Sequence, residues 1–569
     1  MSAPMTQLQE WRRLALGVLR KSGRAGEDTP PEAVDELLST QTYDGLRIAP
    51  LYTAADPAPP AGQPGRAPFV RGGATAPRPW DVRQRHADPD AKATRAAILD
   101  DLENGATSLW LAGIAPADLA EALDGVHLNL ADVVLDNGAD TLEAARAFLA
   151  LPGAAGNLGA DPLGLAARTG DVPDMALLGQ LSKLSEVPVA TVDATVYHDA
   201  GAADAEELGY ATATGVAYLR ELTAAGLSPG MALRQLEFRF AATADQWATI
   251  AKLRAARRLW SRVAQVCDVP HLGAQRQHAV TSDAMMTARD PWSNLLRTTV
   301  ACFASGVGGA DAVTVQPFDA RLGLPDGFAR RIARNTQSLL IEESSVARVL
   351  DPAGGSWYAE SLTDALAHAA WDVFTEVERA GGMAAALRSG QVSDRIAATR
   401  QRRLDDIAHR RQPITGVSEF PDLSERRPAR APAPPPPSGG LPRMWYSQGF
   451  EALRDAADAA VEPPAVRLVA LGPPAAHSAR VSFATNLFAA GGVRLADGPS
   501  PVACICGSDR SYADEAAATA ERLRAEGVTR IWLAGKPGGY AGVDAYLYTG
   551  CDALAVLRQT HEDLGVVAP

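Results

Sequence analysis

The sequence predicts an α/β chain in which an N-terminal arm precedes a long parallel-strand domain and a smaller domain of the same kind closes the chain. Three observations carry this expectation. From about residue 80 to 390, short β-branched or apolar runs alternate with longer runs of helical period. The stretch ARAPAPPPPSGGLPR at 429–443 then interrupts the rhythm with a composition that supports no regular hydrogen-bond ladder. Beyond residue 445 the strand-helix rhythm resumes. At 569 residues, 47% of them apolar, the chain is too long for one domain and rich enough in core residues for two or three.

The arm comes first. Residues 6–42 hold two short amphipathic patterns, around Leu8–Leu19 and Ala33–Leu38, and 43–78 is rich in Pro and Gly, with DPAPPAGQPGRAP at 56–68. Composition alone fits either an extended arm or a disordered linker. The arm is too short and too rich in Pro and Gly to bury its anchors Trp11, Leu14, Leu19, Tyr43, Leu46, Ile48, Leu51 and Tyr52 on itself, so residues 1–78 are expected to be an interface element.

In the second segment, 79–400, candidate strands are Ser108–Ile114, Ala131–Asp136, Pro188–Tyr197, Leu236–Ala241 and Ala310–Gln316. Trp247, Ile250, Leu253, Trp260 and Val263 mark the clearest helix between them. Alternation of this kind means parallel strands with crossover helices, as an open doubly wound sheet or a closed eight-stranded barrel. A length near 300 residues favours the (β/α)8 barrel, whose functional groups gather at the C-terminal strand ends. The basic run RQRRLDDIAHRR leads into a linker at 401–444. In 445–569, strands are expected at Arg467–Gly472, Gly492–Ala496, Val502–Gly507, Thr529–Gly535 and Ala553–Leu557, a flavodoxin-like sheet.

A formal charge of −13 and a pI near 5.3 argue against nucleic acid or an anionic membrane as the main partner. No apolar run approaches the roughly 18 residues of a membrane span, and MSAPMTQLQEW lacks a secretory core, so a cytoplasmic chain is expected. The five cysteines are odd in number and sparse, hence reduced. Cys504 and Cys506 alternate onto one face of a strand without a second pair, which reads as core rather than metal. AGKPGGYAG, with glycines at 535–542, matches no phosphate-binding pattern and reads as a strand-to-helix connection.

Two stretches are more specific. RIARNTQSLLIEESSVARVLDPAGGSWYAE at 331–360 sets Arg331, Arg334, Gln337 and Glu343 in an apolar helical pattern before a Gly-containing turn, and KLRAARRLW at 252–260 packs basic residues among apolar ones. Both resemble the adenosylcobalamin-dependent acyl-CoA mutases, methylmalonyl-CoA mutases above all, and the likeness runs along essentially the whole chain. The resemblance implies a barrel, a flavodoxin-like cobalamin-type domain, and an arm that wraps a partner subunit.

The same resemblance implies that the chemistry has been lost here. Tyr197-His198 keeps the family's substrate-meeting pair, but Arg83-Gln84 is followed by Arg85 where the family has a tyrosine flanking the cofactor. In RQHAVTSDA at 276–284, Val280 stands for a glutamine and Asp283-Ala284 for Gly-Trp. Active members carry Asp-x-His-x-x-Gly to ligate cobalt, whereas LGPPAAHSARVSF at 471–483 has Ala475 and Arg480 around His477, and the register of the following helix puts Ala475 at the ligand position. The expectation is a non-catalytic small subunit with vestigial Tyr197, His198 and Glu343, and a degenerate cofactor loop at Pro473, Pro474, Ala475, His477 and Ser478. No metal or cofactor is expected in this chain, since adenosylcobalamin would be held by the large subunit, its heterodimer partner. An active mutase for another acyl-CoA and a free-standing regulatory protein are the alternatives.

Overall fold

The computed structural model describes residues 6–56 and 58–566. Eight parallel strands form its centre: β1 (Asp81–His86), β2 (Ser108–Ala112), β3 (Asp132–Asp136), β4 (Gly156–Asn157), β5 (Ala190–Asp193), β6 (Leu236–Ala242), β7 (Gln277–Thr281) and β8 (Ala312–Thr314). They are hydrogen-bonded in the order β4-β3-β2-β1-β8-β7-β6-β5. The ends of that order meet, because Leu158 N–H donates to Pro188 O, Ala160 N–H to Val189 O and Thr191 N–H to Ala160 O. The sheet is therefore a closed barrel, as expected from segment length.

β4 is the shortest strand because the chain passes almost in contact with β3. A Cβ at Gly156 would lie 2.0 Å from Val133 O and one at Gly159 1.8 Å from Leu135 O, so both positions exclude any side chain. Helices Ala91–Glu103, Asp204–Ala224, Gln246–Val266, Ser293–Gly308 and Gly327–Ser338 cover the barrel, and helix Trp357–Arg379 packs on two of them, Asp204–Ala224 and Gln246–Val266.

The strand expected over Pro188–Tyr197 ends early. Asp193 accepts from Thr195 N–H at 3.0 Å and from its hydroxyl at 2.5 Å, a local turn that starts helix Thr195–Asp199, so Tyr197 and His198 are helical. In the second domain, β9 (Ala465–Ala470), β10 (Arg494–Ala496), β11 (Val502–Cys506), β12 (Arg530–Ala534) and β13 (Ala545–Leu547) are parallel in the order β10-β9-β11-β12-β13. This is the flavodoxin-like order. Ala553–Leu557, expected as a strand, begins helix Ala553–Asp563, because Asp552 caps it by accepting from Ala555 N–H at 2.9 Å. The turn expected to connect strand to helix instead runs from β12 directly to β13 without a helix.

The arm is not uniform. Helices Gln7–Lys21 and Val34–Leu38 bury Leu16, Leu19 and Val34 on each other, so of the expected anchors Leu19 finds its cover within the arm. Leu14 and Val18, one turn apart, stay exposed. From a two-stranded hairpin, Thr40–Gln41 with Arg47–Ile48, onward, the arm is tied to the body of its own chain. Asp44 accepts from Ala205 N–H at 2.7 Å, Tyr43 donates to Asp406 at 2.9 Å, and Arg257 donates to Phe69 O and Val70 O.

Candidate functional site

The interior of a barrel of this class is ordinarily filled by branched apolar side chains. Here positions on β1, β3, β5 and β6 deliver charge, with polar or aromatic groups added from β2 and β7. Arg83, fully buried, reaches across to Glu237 at 2.6 Å and to Ser108 at 3.1 Å. One layer nearer the C-terminal end, Arg239 bonds Asp193 at 2.9 Å and Asp136 at 3.2 Å and lies 3.9 Å over the Trp110 ring. His278 Nδ1 accepts from Arg239 Nε at 3.3 Å, and its Nε2 bonds Thr314 Oγ1 at 2.8 Å. Burial beside three arginines pushes His278 well below its usual value, so it is neutral. Burial works against the Asp193 carboxyl, yet Arg239 and Arg168 outweigh it and bring Asp193 down to about 2. The lumen is thus crossed by paired charges, the arrangement in which each ion is tolerable only with its partner in place.

At the C-terminal mouth, Tyr197 and His198 are 1% and 3% exposed and face packed side chains rather than the opening. Tyr197 packs edge to face-tilted against Tyr210, with ring centroids 5.1 Å apart. His198 Nε2 bonds Ser282 Oγ at 2.7 Å, and its Nδ1 lies 3.6 Å from Glu207. Behind it, Lys252 sits between Glu207 at 2.7 Å and Asp204 at 3.0 Å. Burial pushes Glu207 up to about 7, burial and the adjacent ammonium hold His198 well down, and the two carboxylates more than offset burial to raise Lys252. Glu343 is nowhere near this pair. It is exposed in a π-helical turn after helix Gly327–Ser338, and Ser338 lies against Gly105 in the turn that enters β2 at the opposite face of the barrel. Of the other polar residues in that stretch, Arg334 pairs with Asp101, Gln337 accepts from Trp80 Nε1 at 3.0 Å, and Arg331 is exposed.

The residues that depart from the mutase pattern have new partners. Asp283 binds Arg443 at 2.5 Å and accepts from Trp445 Nε1 at 2.9 Å, pinning the linker across the mouth, and Val280 is packed at 6% exposure. In the second domain β9 ends at Ala470 and helix Pro474–Ala490 starts almost at once, with Pro474 in its first turn. Only residues 471–473 separate β9 from that helix, so no extended loop leaves this strand. His477 lies in that first helical turn with Nδ1 3.3 Å from Leu471 O, and Ser478 donates to Pro474 O at 2.6 Å. Ala475 supplies no carboxylate to hold the imidazole. Arg480 fills the space beside the sheet edge: it lies 4.9 Å over Tyr512, pairs with Asp509 at 2.5 Å, and would be 3.2 Å from a Cβ at Gly535. The residues present do not fit a corrin-bound histidine. Cys504 and Cys506 are fully buried with sulfurs 3.8 Å apart, and no cluster of three or more metal-ligating side chains occurs among the described residues.

Sequence reasoning missed the hubs on helix Gln246–Val266. Besides Lys252, Arg254 pairs with Asp351 and with Glu360 at 2.6 Å, and Arg257 donates to Gln277 at 2.6 Å and Gly308 O at 2.7 Å. The signal lay in KLRAARRLW itself, where cations occupy positions that the apolar period turns inward.

Comparison with known proteins agrees with this architecture. The family profile described as methylmalonyl-CoA mutase matches residues 180–435. A methylmalonyl-CoA mutase small subunit of Streptomyces virginiae is 55% identical over 98% of this chain and 97% of its own. A probable small subunit of Mycobacterium tuberculosis is 45% identical over 92% of each chain, and the small subunit of Propionibacterium freudenreichii subsp. shermanii is 38% identical over 99% of this chain and 96% of its own. No helix among the described residues is long and apolar enough to cross a membrane. With a closed parallel barrel, a flavodoxin-like second domain and full-length relatives of one kind, the chain belongs to the methylmalonyl-CoA mutase family, among its small subunits.

Proposed function

We propose that this chain is the non-catalytic subunit of a heterodimer whose large subunit binds adenosylcobalamin and isomerises (R)-methylmalonyl-CoA and succinyl-CoA. The observation that carries the reading is the β9 connection, where Pro474 starts a helix in place of a reaching loop and Arg480, paired with Asp509 over Tyr512, stands where the family has a glycine. The barrel supports it independently. A substrate-meeting tyrosine and histidine must present their polar atoms to a ligand, whereas Tyr197 and His198 are enclosed and His198 is held between Ser282 and Glu207. The role left to the chain is a rigid body that supports the active subunit, with the lumen braced by Arg83–Glu237 and Arg239–Asp193.

Titration of the purified chain with adenosylcobalamin, followed by its visible spectrum, tests this directly. The expected result is an unchanged base-on spectrum, and a stoichiometric base-off complex in this chain alone would overturn the proposal. Copurification from the native host with a large subunit is the companion measurement, and recovery of the chain as a lone, corrin-free species would argue for a free-standing role.

A further inference from the structure

We propose that the C-terminal mouth of the barrel binds a small oxyanion, a carboxylate or phosphate, on the guanidinium of Arg85. The side chain leaves β1 toward the lumen, 5.0 Å from the centroid of the Trp110 ring, whose other close cation is Arg239 at 3.9 Å. Among the described residues Arg85 donates no hydrogen bond and enters no ion pair, unlike Arg83 two residues earlier, which is fully buried and paired with Glu237 at 2.6 Å. Its surface is nevertheless open to solvent. Protein surrounds that opening, and burial holds the guanidinium below its usual value. An exposed guanidinium at a lumen-facing position, set against Trp110 and Arg239, borders an opening at the mouth of the barrel. The linker supplies the cover, since Met444 N–H donates to Asp199 O and Tyr446 N–H to Ala284 O across the strand ends.

Charge in the recess is unbalanced. The acids facing Arg85 are Asp136 and Asp283, and the cations are Arg239 and Arg443. Each acid already has its own guanidinium, Asp136 with Arg239 at 3.2 Å and Asp283 with Arg443 at 2.5 Å. Extending the circle adds Arg168 and Asp193, which pair with each other at 2.6 Å, and leaves the excess unchanged. Asp199, which burial raises well above the carboxylate range, does not cancel it, and Asp161, lifted to about 7 and 3.9 Å from Arg168, offsets it only in part. Net positive charge is left over, and the one arginine of this group without a partner is Arg85. Arg239 Nη2 adds a buried donor with no acceptor in the same group. A planar fork resting against an aromatic face, with donors free, is suited to a planar or tetrahedral oxyanion approached bidentately.

The test uses the full chain. Acetate, succinate and inorganic phosphate are titrated separately at constant ionic strength and followed by calorimetry, in wild type, Arg85→Gln and the surface control Arg78→Gln. The expected result is saturable binding of at least one of the three, weakened about tenfold or more by Arg85→Gln, the scale of losing a charge-assisted hydrogen bond, and untouched by Arg78→Gln. The anion that binds best distinguishes a carboxylate ligand from a phosphate one. A second measurement needs no variant: phenylglyoxal labelling mapped by mass spectrometry should modify Arg85 but not Arg83 or Arg239, and the bound anion should protect it. Absence of saturable binding by all three anions, binding that survives Arg85→Gln, or labelling without protection would each overturn the proposal.

Discussion

Replacing Lys252 by methionine removes one charge from a sealed cluster and keeps its volume. The ammonium is 1% exposed and holds Glu207 at 2.7 Å and Asp204 at 3.0 Å, both on helix Asp204–Ala224. Removing one member of a buried pair costs about 3–5 kcal/mol, because the remaining ion is left uncompensated. The cluster has one escape, which is to take up a proton on Glu207 or on His198 3.6 Å away. That escape fixes the sign of the pH dependence. Glu207 is already raised to about 7 with Lys252 present, so in wild type its contribution is lost between its ordinary 4.5 and 7 and is flat above. In Lys252→Met the carboxylate rises further, the folded state holds an extra proton above pH 7, and stability keeps falling there by up to about 1.4 kcal/mol per unit. Urea midpoints at pH 6 and pH 8.5 read both quantities. The variant should be destabilised at both and more so at the higher pH, and adding Glu207→Gln should recover a large part of the loss, since the amide oxygen can still accept from Ala241 N–H. A variant as stable as wild type, or a deficit indifferent to pH, would refute the account of this cluster.

Cys267 is the only cysteine that is not buried, so of the five thiols it alone should react promptly with a thiol reagent in the native chain, and equally fast reaction of Cys504 would contradict the packing of β11. Asp44→Ala removes the oxygen that caps helix Asp204–Ala224 from outside and should cost about 1 kcal/mol, seen as faster proteolysis within the arm. Burial, with Asp204 and Glu206 nearby and only partial relief from Ala205 N–H and Lys252, raises Asp44 to about 7, so its contribution to folding is lost as pH rises from 3.8 to 7, and the wild-type arm should be cut more slowly at pH 6 than at pH 8. Deleting residues 1–39 should leave the melting midpoint of the barrel unchanged, whereas deleting 1–78 should lower it by stripping Arg257 of Phe69 O and Val70 O and Asp351 of Arg71; equal midpoints would mean the second half of the arm contributes nothing to its own barrel.

Alternation of apolar runs carried the architecture, because a buried parallel strand must be apolar over its length and Val133–Leu135 or Ile531–Ala534 leave little else to expect. What failed were the places where one polar side chain redirects the backbone. Asp193 ended β5 four residues before the expected boundary, and Asp552 turned an apolar run into a helix, effects that period alone does not encode. Helical period did bring out the amphipathic patterns of the arm, but not that Leu16 and Leu19 would be satisfied by Val34 within it. At the candidate site, residue identity was legible and partnership was not. Tyr197 and His198 could be recognised from a motif, but their enclosure depends on Ser282 and Glu207, 84 and 9 positions away from His198, and Glu343 was grouped with them by motif although the helix that precedes it carries it to the other end of the barrel.

The positions that depart from the mutase pattern do not behave alike, and the difference bears on Arg85. Asp283 is neutralised by Arg443 and bonded by Trp445, Arg480 is neutralised by Asp509 and lies over Tyr512, and Val280 is packed away, so each has been absorbed into the framework. A buried or enclosed cation without a partner opposes folding, and where only packing is required an apolar residue of similar size is the cheaper occupant. Trp110 could be covered by leucine or methionine as well as by a guanidinium. Arg85 instead keeps its donors free beside two acids that are already paired, at a lumen-facing position where its side chain stays exposed to solvent. The rest of the lumen behaves as a braced framework, so a ligand at this chain's barrel should depend on Arg85 and be indifferent to His198, and His198→Ala with anion binding intact would separate the two.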